Sequence, residues 1–392
     1  CPERCRDECS LLPDQAGIQP PSTMSRGLVK GITRGPWGIT QVQGGAAAAG
    51  GGGPSGPAEF DIDGATYYAV APAGYSYSTD QNTQYDTRKH NTLAAAATAV
   101  QADHGFTTPV VINVIGDWTS AGPEIVAGAT YIGDASATVT NYYLARAIGD
   151  ARHTGIWNET GAPHSLQSTT AAANTIWVNG PFMYFDGLQV AKNVAGSGAQ
   201  SAVLAWTSAN NCRLSNCIIK GSGDGNNSVG IKLYGTNFTM WNCIAYGWYR
   251  SNNSNTAGVE ISSFAAGDVN IYSCTFYINS DVGIKRDASS TSTVTCKNCW
   301  VMADYATPLA YYGTITKVTC ASDDTTGSAG LQNIAYDVAT FTNVTTGSED
   351  YSLAGDSPLL ATGTDTTGDT APLDFTTNIA GATRSSWNVG AF

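Results

Sequence analysis

Charged residues are scarce in this chain: its 392 residues include 19 Lys and Arg, 31 Asp and Glu and four His, which gives a net charge of −12. Nucleic-acid binding needs a basic surface, so this shortage of cations excludes a nucleic-acid partner from our expectations. No run of about 20 apolar residues occurs, and we predict no transmembrane segment. The 44 glycines and 13% charged residues favour a turn-rich β protein.

One pattern occurs five times in the middle of the chain. Each copy has alternating apolar residues, a two-residue break, and alternating apolar residues again. The copies begin 29, 26, 31 and 25 residues apart, at Met183, Cys212, Phe238, Val269 and Val294. Alternation with a period of two predicts two short strands on either side of a tight corner. A recurring unit of this length indicates stacked repeats, because one unit cannot bury its apolar face alone.

A third strand recurs with the same period, at 202–204, 230–232, 258–260, 283–285 and 308–310. Two independent registers therefore predict a coil of three strands. The third strand's predicted outward residues are Leu204, Lys232, Glu260, Lys285 and Ala310.

This arrangement resembles the right-handed parallel β-helix proteins of the pectate-lyase-like superfamily, over roughly residues 107 to 365. The resemblance implies an all-β fold, a right-handed single-stranded parallel β-helix with three strands per coil. It also implies an Asn ladder along one corner. The residues at that corner are Gly187, Asn216, Asn242, Ser273 and Asn298.

The segments around the repeats predict a cap, an arm and a tail. Asn91 and Thr92 can cap a helix near 92–104 that closes the N-terminal end of the β-helix, which spans 58–365. Residues 366–392 are predicted to pack back on it as a C-terminal tail. Residues 1–57 form an extended Gly/Ala-rich arm, and its role as a passive tail or an assembly segment stays open. The redox state of the arm's cysteines, Cys1, Cys5 and Cys9, also stays open.

Four cysteines occupy one inward position in successive coils: Cys217, Cys243, Cys274 and Cys299. Strands stack ~4.8 Å apart, which leaves their Cβ atoms farther apart than the ~3.8 Å of a disulfide. We therefore expect buried free thiols. A zinc site is the alternative, but Cys296 and Cys299 have no second close-spaced pair. No metal and no cofactor are predicted.

Aromatic residues cluster on or just after the second strand of each coil, where sugar rings could stack on their faces. The alternative is that a loop or a subunit contact covers them. The predicted carbohydrate-binding residues are Tyr246, Trp248, Tyr249, Tyr277 and Trp300.

Catalytic residues remain unassigned, because the spaced carboxylate and His motifs of polygalacturonases and the clustered acids of calcium-dependent pectate lyases do not occur. The candidates are Lys285 and Arg286, as a base and a charge-neutralising partner, with Lys232 and Glu260. Arg286 is predicted to point inward, so either the strand ends at Lys285 or Arg286 pairs with a carboxylate such as Asp287 or Asp304.

The favoured function is an extracellular, cell-surface or virion protein whose rigid β-helix serves self-assembly or glycan contact. Its expected partners are identical subunits, in a homo-oligomer or larger assembly, and polysaccharide. The alternative is a divergent polysaccharide lyase or glycoside hydrolase. The organism and the ligand are not defined by these patterns.

Overall fold

A computed structural model describes most of the chain after residue 58. The described residues are 59–103, 107–171, 173–193, 200–222, 229–248, 257–279, 282–304, 309–373 and 375–392. The predicted arm, 1–57, and its three cysteines lie outside them.

Two helices and 27 strands make up the described secondary structure. The helices are α1 (Thr79–Tyr85) and α2 (Leu93–Asp103), and a 3-10 turn spans Gly149–Ala151. The strands are β1 (Thr66–Val70), β2 (Lys89–His90), β3 (Val110–Val114), β4 (Glu124–Val126), β5 (Thr130–Ile132), β6 (Tyr143–Ala147), β7 (Ser165–Ser168), β8 (Ile176–Val178), β9 (Met183–Asp186), β10 (Gln189–Asn193), β11 (Ser201–Ala205), β12 (Arg213–Ser215), β13 (Ile218–Ser222), β14 (Val229–Leu233), β15 (Thr236–Trp241), β16 (Ile244–Tyr246), β17 (Ala257–Ile261), β18 (Ala266–Tyr272), β19 (Thr275–Ile278), β20 (Val282–Arg286), β21 (Thr293–Lys297), β22 (Trp300–Ala303), β23 (Leu309–Tyr312), β24 (Thr316–Val318), β25 (Ala321–Ser322), β26 (Phe341–Asn343) and β27 (Asp350–Leu353).

Three parallel sheets run along a right-handed β-helix, as predicted. The first sheet has the order β2-β1-β3-β6-β9-β12-β15-β18-β21-β24, the second β4-β7-β10-β13-β16-β19-β22-β25 and the third β5-β8-β11-β14-β17-β20-β23. Each coil contributes one strand to each sheet, so a single chain supplies every ladder. β26 and β27 form a separate antiparallel pair.

The strand register follows the repeats, with one correction. The outward column of the third sheet pairs Leu204 with Lys232, Lys232 with Glu260 and Glu260 with Lys285. Its next member is Tyr312 and not Ala310 as predicted, because Lys285 pairs with Tyr312. The last connection is two residues longer than the repeat spacing suggested, and a surface connection tolerates such an insertion.

The corner between the first and second sheets is a column of left-handed residues. All five predicted residues have positive φ, between 48° and 69°, and the structure adds Thr319 at 52°. Asn242 Nδ2 donates to Asn216 Oδ1 at 3.1 Å, which makes the ladder of side-chain amides. The first residue of this corner column is Gly187, where a Cβ atom would lie 2.5 Å from a guanidinium nitrogen of Arg152.

The stacked thiols are buried and free, which confirms the prediction for Cys217, Cys243, Cys274 and Cys299. Cys320 extends the column by one coil, and burial raises the pKa of the Cys217 and Cys243 thiols well above the usual value. These side chains therefore act as small apolar groups in the core.

The N-terminal end is closed by α2, the predicted capping helix. It buries Leu93, Ala96, Ala97 and Val100 against the first coils. Thr92 Oγ1 accepts from the Ala95 N–H at 3.1 Å. The buried carboxylate of Glu124 accepts from the Leu93 and Ala94 N–H groups at 2.8 and 3.3 Å. The short helix α1, which begins at a capping box on Ser78, was not predicted.

The C-terminal end is closed by side chains instead of a helix. The last strands would otherwise present unpaired N–H groups, as sheet edges do. Asp324 Oδ2 accepts from the Ala310 N–H at 2.9 Å, Thr326 Oγ1 from the Tyr311 N–H at 3.1 Å and Ser328 Oγ from the Cys320 N–H at 3.0 Å. The loop 324–328 therefore supplies hydrogen-bond acceptors to the N–H groups at this edge.

The last residues contact the Asn corner. Arg384 donates to Asn242 Oδ1 at 3.0 Å and to the Phe392 carbonyl at 2.7 Å. The Gly390 N–H donates to the Asn298 carbonyl at 2.8 Å, and the Ala391 N–H donates to Thr275 Oγ1 at 3.0 Å. Treating 366–392 as a unit separate from 58–365 stays a prediction.

Candidate binding site on the third sheet

The predicted carbohydrate-binding aromatics do not form an exposed surface. Trp300 is fully buried, and Tyr246 and Trp248 are 3% exposed. Tyr277 is half-buried and stacks on Tyr336 with ring centroids 4.0 Å apart. Tyr249 lies outside the described residues.

The register that aligned these residues is right, and Tyr246 and Trp300 are covered on their outer face. The chain returns across the outer face of the second sheet after the last coil, so that the Phe341 ring lies edge-on to Trp300 at 4.7 Å and Tyr351 lies 5.1 Å from Tyr246. Trp248 turns inward against Gly221 and Gly230. The alternative of burial beneath a loop therefore holds for Trp300 and Tyr246.

The catalytic candidates divide into two groups. Lys232 Nζ lies 3.4 Å from Glu260 Oε2, with the side chains 19% and 10% exposed, and Lys285 follows Glu260 in the same column. Arg286 does not pair with Asp287 or Asp304 in the manner predicted. Instead, its Nε donates to the Ser292 carbonyl at 2.9 Å and it also donates to the Ser290 carbonyl, because the strand runs on through Arg286.

An aromatic stripe crosses five successive coils on the third sheet and its C-terminal edge. Neighbouring ring centroids lie 5.9, 5.9, 5.0 and 5.9 Å apart. Tyr131, Trp206 and Phe264 are 42%, 39% and 70% exposed. The members of the aromatic stripe are Tyr131, Trp177, Trp206, Tyr234 and Phe264.

The strands set the spacing of the stripe. Tyr131 and Trp177 pair across β5 and β8. Trp206 and Tyr234 come one residue after β11 and β14, and Phe264 comes three residues after β17. Sequence reasoning missed Trp206, Tyr234 and Phe264 because they lie past the strand ends. A signal was present, since the last three stand 28 and 30 residues apart, close to the repeat.

A cup of about 380 Å³ opens beside the middle of the stripe. Leu204 pairs with Trp177 on one side and with Lys232 on the other, and its side chain is shorter than either. Trp206 and Tyr234 also line the cup. The polar residues lining the cup are Asn174, Gln200, Ser201 and Lys232. An apolar pocket with a few polar groups is the usual form of a ligand site.

The electrostatics of the cup are dominated by one ion pair. Burial alone would lower the pKa of Lys232, but the attraction of Glu260 and contact with Tyr234 raise it above the usual value. Lys232 Nζ also lies 5.4 Å from the Tyr234 ring centroid. Lys232 is therefore an ammonium ion at neutral pH and cannot serve there as a general base.

Asp323 and Lys192 also have shifted pKa values. Burial, with the neighbouring Asp324 charge, raises the pKa of the half-buried Asp323 to about 7. Burial lowers the pKa of Lys192 to about 8, but this side chain is 4% exposed and donates to backbone carbonyls at Thr170 and Ala171. Asp323 is consequently the more accessible of the two.

The described ranges contain neither a metal-binding cluster nor a membrane-spanning helix. No group of three or more His, Cys, Asp or Glu side chains there is arranged to hold a metal ion. Neither of the two helices in those ranges is long and apolar enough to cross a membrane.

Comparison with known proteins yields a family and a similar structure. A family described as "Right handed beta helix region" matches residues 149–345. A solved structure titled "Crystal structure of pectate lyase Pel9A" is 13% identical, with a TM-score of 0.38 over 83% of this chain and 96% of that chain. No curated protein matches this sequence.

Proposed function

This chain belongs to the right-handed β-helix family, and from that premise we propose that it is an extracellular or virion-surface binding protein whose aromatic stripe holds an extended glycan. The observation that carries the proposal is the regular advance of the five rings, one per coil, at centroid spacings of 5.0 to 5.9 Å. A glycan chain advances by a similar length per sugar ring. Several successive rings can therefore be contacted along the β-helix axis.

The chemistry of the stripe suits sugars better than an apolar partner. Sugar rings stack their C–H faces on aromatic rings and direct their hydroxyl groups to polar neighbours. Polar groups interrupt the stripe, because Asn179 Nδ2 donates to the Tyr131 hydroxyl and Ser208 donates to Asn179 Oδ1. A contact between protein subunits would favour a continuous apolar core in the patch.

The tilt of the rings favours a single twisted chain. Planes of neighbouring rings differ by 59°, 63°, 56° and 38° along the stripe. A flat crystalline glycan surface would need coplanar rings. A single glycan chain can twist from one coil to the next and so follow the changing tilt of the aromatic rings.

Removing one ring of the stripe should weaken glycan binding while leaving the fold intact. We expect Trp206→Ala and Phe264→Ala each to weaken binding about tenfold, the loss of roughly one stacking contact. The matched control is Tyr312→Ala, which removes a 43% exposed aromatic residue from the same sheet beyond the stripe. Affinity electrophoresis through gels containing single polysaccharides measures the effect, and circular dichroism checks the fold.

The same variants separate a glycan site from a subunit contact. One outcome of light scattering is that the unchanged chain is an oligomer and Trp206→Ala a monomer, while neither binds a glycan. That result would mean that the stripe contacts a second copy of this chain instead of a glycan. Equal retardation of Trp206→Ala, Phe264→Ala and the unchanged chain would exclude the stripe as the binding surface.

A divergent polysaccharide lyase or glycoside hydrolase is the second candidate, and the state of Asp323 favours it. Glycoside hydrolysis uses one protonated and one ionised carboxyl group. Asp323 has a pKa of about 7, and hydrogen bonds from Thr326 and the Ala310 N–H outweigh burial and lower the pKa of Asp324. However, both Asp324 oxygens serve the end cap, which leaves it poorly placed to act on a substrate.

We expect no turnover of any polysaccharide. Reducing-end and unsaturated-product assays over a polysaccharide panel test this with the unchanged chain. Should product appear, Asp323→Asn would abolish a hydrolase activity, whereas Lys285→Ala and Arg286→Ala would abolish a lyase activity that depends on those cations. Any such loss with the fold retained would establish an enzyme in place of a binding protein.

A further inference from the structure

We infer that the glycan held by the stripe is uncharged, and that Lys232 and Glu260 together bind its hydroxyl groups at the cup. This inference rests on the proposed function, and it assigns a chemical class to the ligand. Three observations carry it: the charge balance at the cup, the geometry of the ion pair and the shape of the cavity.

The charge balance disfavours an acidic ligand. Among the described residues that line the cup, Lys232 is the one that carries a charge, and Glu260 Oε2 lies 3.4 Å from its ammonium. The pair is neutral as a unit, within a chain of net charge −12. A carboxylate or sulfate on the sugar would have to displace Glu260 from Lys232 while approaching a chain of net negative charge. Lys285 stands on the far side of Glu260, one coil beyond the pair.

The geometry of the pair suits hydroxyl groups. An ammonium group donates hydrogen bonds and a carboxylate accepts them, whereas a sugar hydroxyl does both. Adjacent hydroxyls of one ring could therefore bridge Nζ of Lys232 and Oε2 of Glu260 without separating them. The side chains are only 19% and 10% exposed, so they are held in place before a ligand arrives.

The cavity supplies the remaining contacts for a neutral ring. Trp177, Trp206 and Leu204 line the cup with apolar surface, and Asn174 and Gln200 line it with polar groups in addition to Lys232. The side-chain oxygen of Asn174 accepts from the Ser201 N–H at 2.8 Å, which fixes the orientation of that amide. A ring in the cup would therefore have apolar contacts on its faces and polar contacts at its edges.

Matched neutral and acidic polymers test the inference. Hydroxyethyl cellulose and carboxymethyl cellulose share a backbone and differ in charge, and galactomannan with polygalacturonate adds a second neutral and acidic pair. In affinity electrophoresis we expect the unchanged chain to be retarded by neutral polymers, and retarded equally at about 0.01 and 1 M salt, since screening does not weaken uncharged contacts.

The variants predict a change of specificity. Lys232→Met should weaken binding of the neutral polymer about tenfold, which corresponds to losing one or two hydrogen bonds to a charged group. Glu260→Gln should weaken it similarly and, by freeing the Lys232 charge, add salt-sensitive binding of the acidic polymers. Lys89→Met is the control, because it also removes one cation, but Lys89 does not line the cup and its Nζ donates to Asn82 Oδ1.

The possible failures are distinguishable. Salt-sensitive retardation of the unchanged chain by acidic polymers alone, abolished by Trp206→Ala, would overturn the neutral class and leave the glycan site standing. Neutral binding that Lys232→Met and Glu260→Gln leave unchanged would overturn the role of the ion pair. No retardation by any polymer would overturn the proposed function itself.

Discussion

Replacing Phe276 with alanine is expected to lower the free energy of unfolding by about 3 to 5 kcal/mol. Phe276 is fully buried in the inward column of the second sheet, between Ala245 and Val301 in the adjacent coils. Because Ala245 is small, the Phe276 ring fills space that its neighbour leaves. Parallel ladders on both sides hold the coils apart, so the cavity cannot close by a backbone shift.

Denaturant titration followed by circular dichroism measures this loss. Thr316→Ala is the control, because Thr316 is an exposed residue of β24 on the first sheet, and a change within about 0.5 kcal/mol is expected for it. A loss below about 1 kcal/mol for Phe276→Ala would mean that neighbouring side chains repack into the space, contrary to a rigid stacked core.

Replacing Asp186 with asparagine should destabilise the fold by about 3 to 5 kcal/mol, because it leaves the buried Arg152 guanidinium without its counter-charge. The two side chains lie 2.5 Å apart and are 17% and 3% exposed. Asp186 also accepts from Ser215 Oγ at 2.8 Å and from Asn216 Nδ2 at 2.6 Å, so it holds the start of the Asn ladder.

The matched control is a surface ion pair. Lys220 and Glu159 lie 3.3 Å apart, with 21% and 39% of the side chains exposed, so Glu159→Gln should cost less than about 1 kcal/mol. Equal losses for Asp186→Asn and Glu159→Gln in urea titrations would show that burial does not strengthen the dependence of Arg152 on its partner.

The Asp186 effect should depend on pH in a defined direction. Burial alone would raise the pKa of this carboxyl, but Arg152 and the hydrogen bonds hold it below the usual 3.8. A depressed pKa contributes stability above 3.8 that disappears as the pH falls through the folded-state value. The difference between the unchanged chain and Asp186→Asn should therefore persist at neutral pH and narrow only in strong acid.

His153 also contributes to the pH dependence of both chains in that experiment. Burial and the neighbouring Arg152 lower the pKa of His153 to about 3, so it stays neutral in the fold while the unfolded chain protonates near 6.5. Stability is consequently lost as the pH falls from 6.5 toward 3. The Asp186 charge raises the pKa of His153, so Asp186→Asn lowers that pKa further, and comparison above pH 6.5, where His153 is neutral in both states, isolates the carboxylate.

The coil was predictable because its rules are local. Alternating side chains point to opposite faces of a strand, and few residues other than Gly and Asn tolerate a left-handed corner. The break in the alternation placed the corner, and the family resemblance implied the ladder of Asn216, Asn242 and Asn298 there, with Ser273 at the equivalent position of its repeat. Tyr312 escaped prediction because register across a connection depends on loop length, which no local rule restricts.

Burial of the outer faces was not predictable in the same way. Trp300 and Tyr246 occupy outward positions, and a repeat pattern cannot tell which face a later, non-repeating segment will cover. Phe341 and Tyr351 follow the last coil by some 20 to 30 residues in the sequence, yet they lie against those rings in the fold. The predicted glycan surface is therefore buried on the second sheet.

From the sequence alone come the three-strand coil, the inward thiols of Cys217 and Cys243 and the left-handed corner, because each depends on residues within one or two repeats. The tertiary structure decided which sheet faces solvent and which aromatic rings line up. Trp206 and Phe264 belong to different coils and stand at or beyond the strand ends, so only the stacking of whole coils brings them into one stripe. The ion pair of Lys232 and Glu260 belongs with the local features, since the repeat spacing of the sequence already set these residues, 28 apart, side by side in adjacent coils.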